Sequence, residues 1–327
     1  MDLSPAPDEV ATGVHRLALP IPFENGRVNC FLFPDGEAVD LVDCGMNSEE
    51  SIAAIRAAVA RLAGPKGRLR RVLVTHIHPD HYGGAGVFHS EPGVELYLHR
   101  LEVPLVHPRY LELEQLVEDV RRWLLANGAP AQEAEALSNA SREMRDFVTP
   151  ALPDVQLEGA ELLRMGRREL RVIWTPGHSP GHVCLFDPDS RVLLSGDQLL
   201  PDVTPNIGLH PQSTPDPLDD FLSSLAALAD LSPVLVLPGH GDPFGDPAGR
   251  AARIAAHHAR QKERVVAIVE RERWRGWEVA LRLWGPRDSL IEKRLALQEA
   301  LAHLQSLARA GLLVKRVAPG CVEWSRA

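Results

Sequence analysis

Apolar residues in this chain follow two patterns, and the switch between them sets its organisation. Between residues 14 and 43 they come in short runs, VHRLALPIP, RVNCFLF and AVDLVDCG, the last two parted by a Pro-Asp-Gly turn, which predicts successive strands. Residues 49–63, EESIAAIRAAVARLA, instead repeat at helical spacing and stop before Gly64-Pro65. RRVLVTH and VELYLH return to strand. From about Glu102 to Phe147 the sequence turns charged, Leu- and Ala-rich and helical. ELLRMG, LRVIWTPG, HVCLFDP and RVLLSGD then predict strands, residues 218–230 a helix and PVLVLPGHG a further buried strand. Strands with interspersed helices, and no regular βαβ alternation, predict an α+β sandwich of sheets flanked by helices.

Past GDPFGDPAG the strand pattern stops. Residues 250–273 predict one helix, then GWEVALRLWG, a long SLIEKRLALQEALAHLQSLARAG, and a hairpin LLVKRVAPGCVEWS turning at Pro319-Gly320. Helices ending in a hairpin predict a small winged-helix-like domain. The chain is therefore read as residues 1–249, with a helical insert at about 102–147, followed by residues 250–327.

Chemistry gathers where apolar strands end. In THIHPDHYGG, residues 75–84, His76 and His78 share a face of the extended chain, and Asp80 and His81 follow in the loop or first helical turn. Gly83-Gly84 permits close backbone approach, and Tyr82 is a pocket candidate. The arrangement repeats: VIWTPGHSPGH offers His178 and His182, VLLSGD offers Asp197, VLVLPGH offers His240 and LVDCG offers Asp43. A single histidine at a strand end is most often a surface or hydrogen-bonded core residue. Several histidines and aspartates together, all at strand ends in Gly-rich loops, point to a joint metal site. Imidazole and carboxylate suit zinc, iron and manganese alike.

In order and approximate spacing, HxHxDH, a downstream GH, a GD and a GH, with the early LVDCG, resemble the metallo-β-lactamase superfamily over about residues 10–245. The resemblance implies an αββα sandwich with metals at one edge between the sheets, and two divalent ions, zinc first, with iron or manganese as alternatives. It implies that His76, His78 and His182 bind the first ion, that Asp80, His81 and His240 bind the second, and that Asp197 bridges them. His178 would stand beside the site, and Asp43 would steady the loop by hydrogen bonds. Such a set leaves positions for water and substrate, whereas structural zinc is usually closed by four ligands. Catalysis would rest on Asp80 and Asp197 with a hydroxide between the metals, nucleophilic at neutral pH. The Asp197 position is similar to the hydroxyacylglutathione-hydrolase-like and ribonuclease-like arrangement, where class B β-lactamases typically place a Cys. The C-terminal segment resembles the lactamase-beta-2-like branch. The expected reaction is hydrolysis of a small ester or thioester. The alternatives are cleavage of single-stranded RNA and a metal-bearing sensor domain attached to a winged-helix module.

Composition changes little. At 45% apolar and 24% charged the chain is ordinary for a globular protein, and no apolar run approaches the length of a membrane span. MDLSPAPDEV lacks signal-peptide features, and four scattered cysteines without a CxxC pair predict a reducing, cytoplasmic setting. Charge matters more. From Arg250 onward there are 16 Lys/Arg against 8 Asp/Glu, and before it 19 against 36. A basic end on an acidic body raises nucleic-acid contact. Yet LALQEALAHLQSLARAG carries only Arg309 as a cation, and readers of nucleic acid need several. Packing, or formation of a homodimer, is the expected role. The insert is read either as helices flanking the sandwich or as a lid with Tyr110, Trp123 and Phe147 as pocket candidates; His210 after Asp197 is a pocket candidate too, with an exposed loop histidine the favoured account of it. An apolar lid would suit a small acyl substrate. His257 and His258 are expected simply to sit on their helix.

Overall fold

Two sheets meet face to face. The computed structural model describes residues 6–22, 26–270 and 272–327. The first sheet runs in chain order through β1 (Asp8–Ala11), β2 (Val14–Pro20), β3 (Arg27–Asp35), β4 (Ala38–Val42), β5 (Arg68–Leu73), β6 (Glu95–His99) and β7 (Val155–Leu157). Neighbours are antiparallel as far as β4 and parallel from β4 to β7. The second sheet holds β8 (Leu162–Met165), β9 (Arg168–Trp174), β10 (Val183–Asp187), β11 (Val192–Gly196) and β12 (Leu235–Pro238), again in chain order. There only β11 and β12 are parallel.

Phe31, Phe33, Val42 and Leu73 of the first sheet pack against Leu170, Val172, Leu185 and Leu194 of the second, with no polar partner needed between them. Helix α1 (Glu49–Ala63) covers the outer face of the first sheet, laying Ile52, Ile55 and Val59 on Leu17, Leu32 and Leu41. Ser48 caps it by accepting from Ser51 N, and Gly64 ends it, as the spacing predicts. The short helices α2 (Pro79–Tyr82) and α3 (Ala85–His89) follow β5.

The insert forms α4 (Val103–Val106), a π-helical turn at His107–Leu111, α5 (Leu113–Ala126) and α6 (Ala131–Arg145). Helices α7 (Pro217–Asp230) and α8 (Pro247–Ile268) cover the outer face of the second sheet through Phe221, Leu225 and Ile254. The architecture is thus the expected αββα sandwich. Helix α8 is capped by Asp246, whose side chain accepts from Gly249 N, and it ends at Ile268, short of the predicted 273. Trp274 beyond it bridges to Trp324 instead.

After α8 come α9 (Gly276–Trp284), α10 (Leu290–Arg309) and the hairpin β13 (Leu313–Ala318) and β14 (Cys321–Arg326). One apolar core joins this segment to the insert: Leu116, Val120 and Leu124 of α5 and Leu137 of α6 pack with Leu297, Leu301 and Leu304 of α10 and with Trp324. The sequence pattern did not foresee that partnership. Each helix shows an apolar face without saying which other face covers it. No helix among the described residues is long and apolar enough to cross a membrane.

Candidate metal centre

Parallel pairing brings the chemistry together. Val42 of β4 stands opposite Leu73 of β5 with both strands running the same way, so Asp43 and Thr75 leave the sheet side by side. Gly196 of β11 stands opposite Pro238 of β12 in the same manner, and Asp197 and His240 emerge as neighbours. The connection from β9 to β10 carries His178 and His182 over the same edge.

Asp43 is buried, with a left-handed φ of 59°, and its carboxylate accepts three bonds: from Thr75 N at 2.7 Å, Thr75 Oγ1 at 2.9 Å and His81 Nδ1 at 2.8 Å. Because the carboxylate can only accept, Thr75 Oγ1 donates to it and has a lone pair left for His76 Nδ1–H at 3.1 Å. His76 Nε2 is then a bare lone pair. His240 Nδ1 donates to the Arg27 carbonyl at 2.7 Å, and His178 Nδ1 to the Asn206 carbonyl at 3.1 Å, which frees the Nε2 of each.

These free nitrogens converge. His78 Nδ1 lies 2.9 Å from both His76 Nε2 and His178 Nε2. Nearby, His240 Nε2 lies 3.2 Å from Asp80 Oδ2 and 3.4 Å from His81 Nε2. Asp197 reaches toward both groups: Oδ2 is 3.5 Å from His178 Nε2 and from His240 Nε2, and Oδ1 is 3.4 Å from His81 Nε2.

The two histidines of TPGHSPGH stand differently from what the sequence reading expected of them. His182 uses both ring nitrogens, Nδ1 with Thr175 Oγ1 at 2.8 Å and Nε2 as acceptor from Asp197 N at 3.1 Å. Both ring nitrogens of His182 are thus engaged within the protein. His178 faces His78, and His182 stands behind Asp197. Tyr82 needs correction too. It is fully buried, its hydroxyl bonded to the backbone of Ala151 and its ring stacked near Tyr110, so it is a core residue. Trp123 packs in the helical core, and neither it nor Phe147 lines the cavity beside the site. Tyr110 and His210 do line it.

Other supporting residues escaped the sequence reading because their types are unremarkable in a motif search. Glu102, fully buried, accepts from Ile77 N, Ser179 Oγ and Gly181 N, tying the HxHxDH loop to the loop of His178. Asn29 donates to the carbonyls of Pro238 and Gly241 and fixes the loop of His240. Gly239 has to be glycine: a Cβ there would stand 2.4 Å from Asp197 Oδ1.

The residues fit divalent ions. Asp197 Oδ1 is buried without a hydrogen-bond partner, and three imidazole nitrogens are aimed at one point with too few protons to satisfy each other. Burial holds His76, His78 and His178 below the usual imidazole range, so they are neutral and able to ligate. Around His81 and His240 burial acts in the same direction, but the Asp197 and Asp80 carboxylates outweigh it and raise both, His240 to about 10. Against the opposing effect of burial, His81 and His240 hold Asp80 at about 2. This half of the centre calls for positive charge, which a dication would supply.

A family model described as the metallo-beta-lactamase superfamily matches residues 24–240. The chain belongs to that superfamily. Within it, the probable metallo-hydrolase YqjP of Bacillus subtilis is 26% identical over 305 residues, covering 89% of this chain and 91% of that protein. The acyl-coenzyme A thioesterase MBLAC2 of Gallus gallus is 29% identical over 245 residues, covering 72% and 80%. Among solved structures, a metallo-beta-lactamase family protein from Thermus thermophilus matches with a TM-score of 0.84 at 32% identity, covering 97% of this chain and 100% of that one. A beta-lactamase domain protein from Burkholderia ambifaria matches at 0.85 and 29%, covering 98% and 94%. This metallo-beta-lactamase superfamily chain is therefore matched beyond the family domain, through the C-terminal helices.

Proposed function

We propose that this metallo-hydrolase holds two divalent ions and cleaves a small ester or thioester. The reading is carried by the Asp197 carboxylate, which stands within 3.5 Å of imidazole nitrogens from both groups. His76, His78 and His178 would hold one ion, Asp80, His81 and His240 the other, and Asp197 both. Zinc is the ion proposed, since three imidazoles with carboxylates suit it well. When bound, such ions polarise a carbonyl oxygen and lower the pKa of a water to near neutrality.

The chain's own residues orient that chemistry. Asp43 and Thr75 fix His81 and His76, and Asn206 and Arg27 fix His178 and His240. His182 holds the backbone of Asp197. Asp80, kept ionised against burial by His81 and His240, stays available as an anionic ligand and hydrogen-bond acceptor at the site.

Two features support an acyl substrate over a phosphodiester. The cavity beside His78 is walled by Leu113, Leu116, Val120 and Met144, and one relative carries the name of an acyl-coenzyme A thioesterase. The long helix α10 buries Leu297, Leu301, Leu304 and Leu307 inside the protein, which supports a packing role for the winged-helix-like segment over reading of nucleic acid.

The test pairs metal analysis of the purified protein with turnover of an acyl thioester, a phenyl ester and bis(p-nitrophenyl) phosphate. Two ions per chain, and thioester or ester turnover abolished by chelation, are expected. One ion per chain, or turnover of the phosphodiester alone, would overturn the reading.

A further inference from the structure

A cavity of about 750 Å³ opens beside His78, and its walls come from distant parts of the chain: α5 and α6 of the insert, the loop of His210, and α10. Most of that wall is apolar. Two guanidinium groups nonetheless line it, Arg109 from the π-helical turn and Arg294 from α10.

Their partners are neutral. Arg109 Nε donates to Gln212 Oε1 at 2.9 Å, and an Arg294 terminal nitrogen donates to Ser141 Oγ at 2.7 Å. Among the described residues no carboxylate lies within ion-pair distance of either; Glu292, the acidic residue of the lining, is exposed and pairs with neither. Burial and the nearby Arg109 charge lower Arg294 to about 10, which leaves it cationic at neutral pH. His210, also in the lining, is neutral, held down by burial and then by the two arginines, and the Glu102 carboxylate that bears on Arg109 is already taken up by Ile77 N, Ser179 Oγ and Gly181 N. Two like charges in a largely apolar cavity are unfavourable unless an anion joins them. Guanidinium forks match carboxylate and phosphate oxygens in geometry.

We infer that Arg109 and Arg294 form an anion subsite, so that the substrate is an acyl ester or thioester bearing a carboxylate or phosphate remote from the bond that is cut. The inference rests on the hydrolase reading above. The apolar wall of Leu113, Leu116, Val120 and Ile291 takes the segment between the charged end and the reacting carbonyl, which lies toward His78. The anion can come from the acyl side or from the leaving thiol, and the probes distinguish the two.

Three thioesters serve: neutral S-butanoyl-N-acetylcysteamine, S-glutaryl-N-acetylcysteamine with its charge on the acyl side, and S-butanoyl coenzyme A with its charge on the thiol side. In Arg109→Gln and Arg294→Gln the ratio of kcat/KM for the preferred anionic probe to that for the neutral probe should fall about tenfold or more, the size of a lost charge-assisted hydrogen bond. Arg294→Lys should restore part of it. A ratio unchanged in both Gln variants refutes the subsite. Binding keeps the two readings separable. Calorimetry with decanoate and decanol should show the charged ligand preferred by wild type and that preference lost in the double Gln variant. If no thioester is turned over but this preference appears, the hydrolase reading fails and the subsite stands. If turnover is normal and the preference is absent, the reverse holds.

Discussion

His178 Nδ1 donates to the carbonyl of Asn206 at 3.1 Å, and the side-chain amide of that asparagine in turn donates to Glu299 Oε2 and the Leu295 carbonyl of α10, both at 3.3 Å. One imidazole of the proposed metal centre is thereby braced by the C-terminal segment. Asn206→Ala leaves the carbonyl in place but cuts its tie to α10. Metal content should be retained while kcat/KM falls by up to about tenfold, the low end for residues behind a metal ligand. Steady-state kinetics with metal analysis on the same sample decides it, and an unchanged kcat/KM would show the brace to be idle.

His178→Ala and His182→Ala should part company. The first removes a convergent lone pair and should drop metal from two ions per chain toward one. The second leaves every proposed ligand atom in place and should keep both ions, with activity lower by about 10–100-fold because the Asp197 backbone has lost its acceptor. Metal counted per chain by mass spectrometry separates them. Loss of an ion from His182→Ala alone would restore the assignment expected from the sequence.

Asp197→Ala should lower occupancy of both positions, and His240→Ala mainly of the second. Titrating metal into the stripped proteins would give no tight site in the first variant and one in the second. Two retained ions with full turnover in Asp197→Ala would exclude a shared ligand.

Asp43→Asn isolates hydrogen bonding from backbone strain, since asparagine tolerates the φ of 59°. Its amide cannot accept from all of Thr75 N, Thr75 Oγ1 and His81 Nδ1 as the carboxylate does. A stability loss of about 1–3 kcal/mol is expected from the unsatisfied buried groups, with metal affinity weaker by about 10–100-fold. Urea unfolding of the metal-free protein reads the first and competition with a chelator the second.

His258 and His303 give the fold an acid sensitivity of its own. They sit 3.2 Å apart between α8 and α10, and burial lowers them to about 3 and about 4. His257 and Lys262 depress both further. Unfolding returns each to about 6.5, so below that pH the unfolded chain binds more protons and stability falls as pH drops. Glu299, pushed up to about 7 by burial, acts oppositely between 7 and its ordinary 4.5, where the folded carboxyl keeps its proton. The two histidines outweigh it below 6.5, the decline is steepest near 4.5, and it levels off as the folded His303 and His258 take up their own protons at about 4 and about 3. In urea titrations from pH 7 to 4, His258→Gln should show a shallower decline than wild type; parallel curves would rule out the buried pair as the cause.

The sequence alone determined the kinds of group at the centre and their order. HxHxDH, Asp197 and His240 each follow a strand whose apolar run is local, and a strand end placed next to glycine is legible without any partner. It also determined α1 and α7, whose caps and apolar spacing lie within the helices themselves. Only the tertiary structure gave His178 and His182 different surroundings. TPGHSPGH presents two imidazoles in similar settings, and what separates them is Thr175 and the backbone of Asp197 consuming both ring nitrogens of one. Only the tertiary structure, likewise, joined the insert to the C-terminal helices and set Arg109 and Arg294 in one cavity. Amphipathic spacing shows that a helix has a face to bury, but the face that covers it is chosen by the packing of the whole chain.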